Sequence, residues 1–282
     1  MHNLQVSTQH GGAFRLLFPH DFGTLAAKAM GDVNLLRANL DARLFLLHVF
    51  PPKADAGEQD LIWKRLGEYA ADFRGAKLPR VLTLTGSGKP EEVIVRTARD
   101  IGADLVVFGT KGGSGLRDTF IGSAVNHVIR HTPCPVLTIR EGRALPGFSQ
   151  ILVPVDLDGD ARMQLRWALW LARMYGSRLH LLSLVSGKTT AAHAGKLEDL
   201  KQQVEAAEVK LGSAEVQSLR GKGVAEEVLA LADARKADLI CLMTQGASGS
   251  LTSNWMGSVA DKVVNKSLIA VFSIPPGSRT PM

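Results

Sequence analysis

The chain has 282 residues, of which 45% are hydrophobic, 21% charged and 6% aromatic. That length favours two domains of about 140 residues over one, and the composition excludes a largely disordered, collagen-like or coiled-coil chain. The net charge of +6 raises the question of nucleic acid, but the excess is thin: 18 basic against 14 acidic residues up to residue 145, and 15 against 13 beyond it.

In chain order, Phe14–Phe18, Leu44–Phe50, Val81–Leu84, Leu105–Phe108 and Val136–Ile139 read as short buried strands. Between them Thr24–Leu40, Asp60–Phe73, Glu91–Asp100 and Ser123–Arg130 carry helical spacing, with Val93, Thr97 and Ile101 on one side of the third helix. Strand and helix alternating in this way imply an α/β fold with a parallel sheet covered on both faces. Ligands of such sheets bind at the carboxyl ends of the strands, near the topological switch point. The loops after Phe18 and Phe108 are therefore where chemistry is expected.

The pattern then repeats. Residues 15–22, Arg-Leu-Leu-Phe-Pro-His-Asp-Phe, align with 150–157, Gln-Ile-Leu-Val-Pro-Val-Asp-Leu, pairing Pro19 with Pro154 and Asp21 with Asp156 at an offset of 135. The offset is 134 for Ala103-Asp104-Leu105 against Ala237-Asp238-Leu239, and again 135 for Gly122-Ser123 against Gly257-Ser258. A period of that size is a whole domain, not a solenoid repeat. The sequence thus divides into domains at 13–141 and 149–276, joined by the Gly- and Pro-containing segment Glu141–Phe148.

After the fourth strand comes Gly109-Thr-Lys111-Gly112-Gly-Ser-Gly, and Gly122-Ser123 opens the next helix, a Gly-x2-Gly-x9-Gly-Ser spacing. Glycines allow positive φ and close approach of amides to an anion, and a helix N-terminus offers free N–H groups and the positive end of the dipole. Ser123 can add a hydroxyl and Lys111 a charge, a combination suited to a di- or triphosphate. The competing reading is a surface loop with Ser123 as a plain N-cap. Asp21, just past the first strand, can accept hydrogen bonds from a ribose hydroxyl or an adenine amino group, or can cap the helix near Thr24.

These residues make the chain similar to the universal stress protein (UspA-like) family in its tandem two-domain form. The carriers are Phe-Pro-His-Asp-Phe at 18–22, Leu-Leu-His-Val at 46–49, Ala-Asp-Leu-Val-Val-Phe-Gly at 103–109, the glycine spacing over 109–123 and Pro-Cys-Pro-Val-Leu at 133–137. The resemblance implies two tandem Rossmann-like domains of the adenine nucleotide alpha hydrolase-like type, each with five parallel strands, and, in one branch of the family, ATP binding, with magnesium accompanying the triphosphate. It implies that Asp21 and the Val49 backbone, with Pro19 beside them, face adenine and ribose. Gly109, Gly112, Gly122 and Ser123, with Lys111, are then expected at the phosphates. The second domain departs from the pattern: Met243 replaces Gly109, and Gly246 is followed by ten residues before Gly257-Ser258. Nucleotide is therefore expected mainly in the first domain, with little or no turnover. The alternative is an ATP-independent scaffold acting through protein association, in which His20 and Phe22 crowd the base.

Other motifs carry less. Gly86-Ser-Gly88-Lys89-Pro90 lacks the glycine at Thr83 and the hydroxyl residue at Pro90 that a P-loop needs. His48 reads as a satisfied strand histidine. His127 and His131 have i,i+4 spacing, but Lys262 and Lys266 stand in the second copy and no third ligand follows. Cys134 and Cys241, 107 residues apart, exclude a disulfide scaffold and a Cys/His zinc cluster and are expected as buried hydrophobes. No Gly-x-Ser-x-Gly elbow is present. No basic run is long enough to suggest nucleic acid. No apolar run spans a bilayer and the N-terminus lacks a signal pattern, so a cytoplasmic protein is expected. The last strands, Val136–Ile139 and Ala270–Ile274, are expected at sheet edges, where apolar strands pair. The resemblance extends this to an intramolecular pseudo-dimer of the two domains and a possible homodimer.

Overall fold

The computed structural model describes residues 13–50, 55–73, 81–111, 122–141, 147–186, 188–219, 223–244 and 255–279. Their contacts divide into two units, one of residues 13–111 with 122–141, the other of residues 147–279. The first runs β1 (Arg15–Pro19), α1 (Thr24–Asn39), β2 (Arg43–Phe50), α2 (Ala56–Asp72), β3 (Leu82–Ser87), α3 (Pro90–Asp100), β4 (Leu105–Thr110), α4 (Ser123–His131) and β5 (Val136–Arg140). The second repeats it: β6 (Gln150–Asp156), α5 (Arg162–Tyr175), β7 (Arg178–Ser186), α6 (Ala191–Ala206), β8 (Lys210–Leu219), α7 (Val224–Ala234), β9 (Leu239–Met243), α8 (Trp255–Lys266) and β10 (Ala270–Ile274). All nine helices and strands expected in the first unit are present, with ends moved by up to four residues: α2 starts at Ala56, not Asp60, and β3 reaches Ser87.

Each unit contains a parallel sheet, ordered β3-β2-β1-β4-β5 in the first and β10-β9-β6-β7-β8 in the second. In both, the first strand of the repeat lies between the second and the fourth, and the strand order reverses there. Parallel strands covered on both faces must be apolar throughout. Leu16, Leu17 and Phe18 of β1 and Ile151, Leu152 and Val153 of β6 are accordingly buried without alternation.

The helices dock by their small and branched residues. Ala26, Ala29, Val33 and Leu36 form the buried stripe of α1 at near-helical spacing. Asp55 and Glu58 close a capping box on α2. Pro90 sits at the first turn of α3 with Glu91 and Glu92 on the positive end of its dipole. Gly176 ends α5 in the left-handed conformation (φ 65°) that a Cβ disfavours. In the second unit Trp167, Trp170 and Phe272 pack edge-on or tilted at 5.2–5.3 Å. Phe148, assigned to the linker on sequence, is instead buried against Tyr175, and its carbonyl accepts the Ser177 hydroxyl. Residues 142–146 of that linker lie outside the described residues.

One glycine sets the closest helix-to-sheet approach in the first unit. A Cβ on Gly109 of β4 would lie 2.4 Å from the Leu25 carbonyl oxygen and 2.8 Å from the Ala29 Cβ, both on α1. Backbone cannot yield there as a flexible side chain can. Gly109→Ala is expected to destabilise the protein by about 1–3 kcal/mol, whereas Gly122→Ala, with no described atom within 4 Å of the added carbon, loses only the modest preference for glycine over alanine at an N-cap, less than about 1 kcal/mol. Denaturant unfolding of the two variants checks this, and equal midpoints would contradict it.

Candidate functional site

Of the residues predicted on sequence, Pro19, Asp21, Val49, Gly109 and Lys111 lie at or just past the carboxyl ends of β1, β2 and β4. Pro19 pairs with Leu47 and Leu17 with Val106. Counting on along the strands brings Asp21 level with Val49 on one side and Thr110 on the other. Asp21 is exposed, and Pro19 and Val49 are half-buried. Its Oδ1 accepts the Gly23 N–H at 2.7 Å, a turn that leads into α1. The N-cap of α1 is Gly23 itself, with no side-chain cap, so Asp21 shapes the approach to the helix and does not cap it.

Gly109 is half-buried in β4, and the exposed Lys111 follows it. Because β5 is parallel to β4, α4 must run back across the sheet, which brings its amino end to the edge where β4 finishes. Gly122 is the N-cap of α4 and Ser123 its first residue, both exposed. The reading of Ser123 as N-cap is therefore corrected by one residue, and the cap contributes no side-chain hydrogen bond. The first-turn amides of α4 point from this end. Gly112, with the rest of 112–121, lies outside the described residues.

Beside Asp21 the rings of His20, Phe22, His48 and Tyr69 form one cluster. Phe22 adopts φ 60°, which turns its ring onto His48 (centroids 4.2 Å, nearly parallel) and Tyr69 (5.5 Å). The Arg65 guanidinium lies 4.5 Å from the Phe22 centroid, and His20 packs on Tyr69 at 4.3 Å. His48 Nδ1 donates to the His20 carbonyl at 2.7 Å. His20 Nδ1 accepts the Phe22 N–H at 3.0 Å, which leaves its proton on Nε2. Only 2% of His20 is exposed, and burial pulls its pKa down to about 4, helped by His48 and Arg65 and opposed by Asp21. Burial also lowers that of His48. Both rings are neutral at physiological pH.

The second unit builds the equivalent place differently. Asp156, last residue of β6, pairs in register with Leu184 and is buried, where Asp21 is exposed. Its Oδ1 accepts the Asp158 N–H at 2.9 Å, and burial raises its pKa. Met243 stands where Gly109 stands in the first unit, and Gln164 stands where Ala29 does. The buried Gln164 amide spans β6 and β9, donating to the Pro154 and Cys241 carbonyls at 2.7 and 2.9 Å. A cleft of about 500 Å³ opens here, lined among others by Asp156, Asp158, Asp160, Asp199, Arg162 and Lys196. Arg162 pairs with Asp160, and Lys196 donates to the Leu157 carbonyl. Carboxylates outnumber cations at this mouth.

A profile of the universal stress protein family matches residues 13–140 and 147–275. The chain belongs to the universal stress protein family. A universal stress protein of Thermus aquaticus is 35% identical over 134 residues, which is 44% of this chain and 97% of that protein. Universal stress protein YxiE of Bacillus subtilis is 36% identical over 145 residues, 45% of this chain and 98% of that one. Each of these relatives has the size of one unit of the tandem. The fold of a universal stress protein from Archaeoglobus fulgidus superposes with a TM-score of 0.76 at 17% identity, over 93% of this chain and 98% of that one.

Within this universal stress protein fold the demoted motifs have structural explanations. Gly86 and Ser87 belong to β3, and α3 begins at Pro90. The His127 and His131 rings stack at 4.1 Å while His131 Nδ1 donates to the His127 carbonyl. Among the described residues no group of three His, Cys, Asp or Glu is arranged to hold a metal, and no helix is long and apolar enough to cross a membrane. Cys134 and Cys241 are free and buried, and burial pushes the Cys134 thiol up to about 12 and the Cys241 thiol up as well. Sequence reasoning missed two buried polar residues, Gln164 on the first turn of α5 and Arg140 at the end of β5. Their signal was a polar residue on an otherwise apolar face. His20 binds protons more weakly folded than unfolded, so its contribution to stability is complete above its ordinary 6.5 and lost as pH falls towards 4, about 3 kcal/mol at full extent. His20→Asn, which keeps an acceptor for Phe22, is expected to flatten the stability curve between those pH values. Equal slopes in the two proteins would contradict the assignment.

Proposed function

We propose that this universal stress protein is an ATP-binding regulatory protein, with nucleotide held mainly by its first domain and little or no turnover. The observation that carries the reading is that exposed Asp21 follows the end of β1 while β2 and β4, its two parallel neighbours, end at Phe50 and Thr110, on the edge from which the amino end of α4 points. An exposed carboxylate and strand-end backbone suit a ribose and a base; helix amides with Gly122, Ser123 and Lys111 suit phosphate. The His20 and Phe22 rings are engaged with Tyr69 and His48, which leaves Asp21 at the surface.

Magnesium would accompany the triphosphate rather than reside in the protein, and the exposed Asp21 carboxylate and Ser123 hydroxyl are oxygen donors of the kind that would complete its shell. Little turnover is in keeping with His20, whose ring is buried and whose basic Nδ1 is already engaged by the Phe22 N–H.

In the second domain, buried Asp156 and the surplus of carboxylates around it disfavour a triphosphate. A second reading, an ATP-independent scaffold, draws on Leu61 and Trp63, which lie exposed on α2. Calorimetric titration of the full chain with Mg-ATP separates the two. One site per chain is expected, lost in Asp21→Ala and retained in Asp156→Ala. Two equivalent sites would refute the asymmetry, and no heat together with no thermal shift would support the scaffold.

A further inference from the structure

The place where the chain leaves β4 is held from the neighbouring strand. Thr110 pairs in register with Arg140, the last residue of β5. The Glu141 N–H donates to the Thr110 carbonyl at 2.9 Å, and the Thr110 hydroxyl donates to the Ile139 carbonyl at 3.0 Å. Arg140 Nη1 then donates to the carbonyl of Lys111 at 3.0 Å, one residue further out. Glu141 is turned aside by an ion pair with Lys28 of α1 at 2.5 Å.

Arg140 is an unusual residue to find here, being only 2% exposed. Taking a guanidinium out of water is costly unless it gains charge-assisted hydrogen bonds or a compensating anion. Burial lowers its pKa to about 10, so it remains a cation at neutral pH. An apolar residue at the end of this buried strand would avoid the cost.

The second domain provides the internal comparison. At the matching offset Pro275 replaces Arg140 and Pro276 replaces Glu141, and proline has no side-chain donor. The threonine contact persists, the Thr244 hydroxyl reaching the Ile274 carbonyl at 3.4 Å and its N–H donating to the same oxygen at 2.9 Å, while Pro276 has no N–H to match that of Glu141. The fold therefore closes the β-strand end without an arginine. What the arginine adds, in the domain that retains Gly109, is a hydrogen bond to the Lys111 backbone and a positive charge, neither of which a proline side chain at 275 can supply.

We propose that Arg140 is a positioning residue of the first-domain anion site, holding the Lys111 carbonyl so that the strand exit faces phosphate and biasing the site towards polyphosphate over nucleoside. This rests on the nucleotide reading above. The β4–β5 end selects by charge, while the β1–β2 end with Asp21 and Val49 selects by hydrogen bonding to the uncharged parts of the ligand.

Calorimetric titration of the full chain with ATP and, separately, with adenosine tests it in Arg140→Met, Arg140→Gln and Arg140→Lys, with ligand-free melting to confirm folding. The methionine and glutamine variants are expected to lose about tenfold in ATP affinity, the scale of one charge-assisted hydrogen bond, and to bind adenosine within twofold of wild type. The lysine variant is expected to recover most of the ATP affinity. ATP affinity unchanged within twofold in whichever uncharged variant folds would overturn the proposal. Equal losses for ATP and adenosine would also overturn it, marking Arg140 as structural only. If neither uncharged variant folds, lysine decides: ATP affinity lowered together with adenosine affinity overturns the proposal, and adenosine affinity held with ATP within threefold of wild type supports it. Wild-type protein that binds neither ligand would fail the nucleotide reading itself, a result distinct from wild-type binding that the Arg140 variants leave untouched.

Discussion

The close approach of α1 to β4 at Gly109 is the contact on which the first domain's site depends. The Leu25 carbonyl and the Ala29 methyl lie where any β-carbon on residue 109 would go. The helix that starts behind Asp21 is thereby seated directly on the strand that leads to Lys111. A glycine at this position in a nucleotide-binding loop invites the explanation that backbone must approach phosphate. The geometry gives it a role in packing against α1 instead. The second domain removes the same contact: Met243 and Gln164 replace Gly109 and Ala29, and the glutamine amide bridges the β6 and β9 carbonyls. Buried carbonyls at a strand divergence need donors, and Gln164 provides them at the place where the first domain relies on close packing.

From that difference the two aspartates acquire different chemistry. Asp21 and Asp156 occupy one position of the repeat and each accepts an amide two residues on. One is exposed and the other is buried with a raised pKa. A carboxylate in water keeps its charge and can exchange a water for a ligand hydroxyl at small cost. A buried carboxylate has already lost its water and is less ready to stay ionised. Sequence identity at a position therefore does not carry identity of function; the solvent around it decides.

Much of this architecture was legible in the sequence. The duplication, the parallel sheet implied by alternating elements, and the residues at the strand ends follow from apolar runs, helical spacing and the offset near 135, since parallel strands buried on both faces can hardly be written otherwise. Boundaries were less legible. α2 begins with a capping box on Asp55 rather than with its apolar face, so its first turn is invisible to periodicity. Phe148 was hidden by its Pro-Gly neighbours, although its ring belongs to the core. At the site, which residues lie at the strand ends could be read, but not which of them are buried. His20 and Arg140 look like surface residues in a string, and only tertiary packing makes one a neutral imidazole and the other a buried cation.

Net charge illustrates the same limit. The first half of the chain carries a surplus of four basic residues and the second a surplus of two, a difference too small to distinguish an anion site. Local placement separates them clearly. In the first domain Arg140 is buried at the strand end and Lys111 follows on the surface, while Glu141 is paired with Lys28. In the second, four aspartates share one cleft with two cations that are already engaged. Coulomb interactions fall with distance and are screened over about 8 Å at physiological salt, so a ligand responds to the charges lining its own cleft and hardly at all to the total. An anion would therefore distinguish the two mouths even if both halves carried the same net charge. For this pair of domains the charge that matters is that of the groups the fold has buried or already paired at the strand ends.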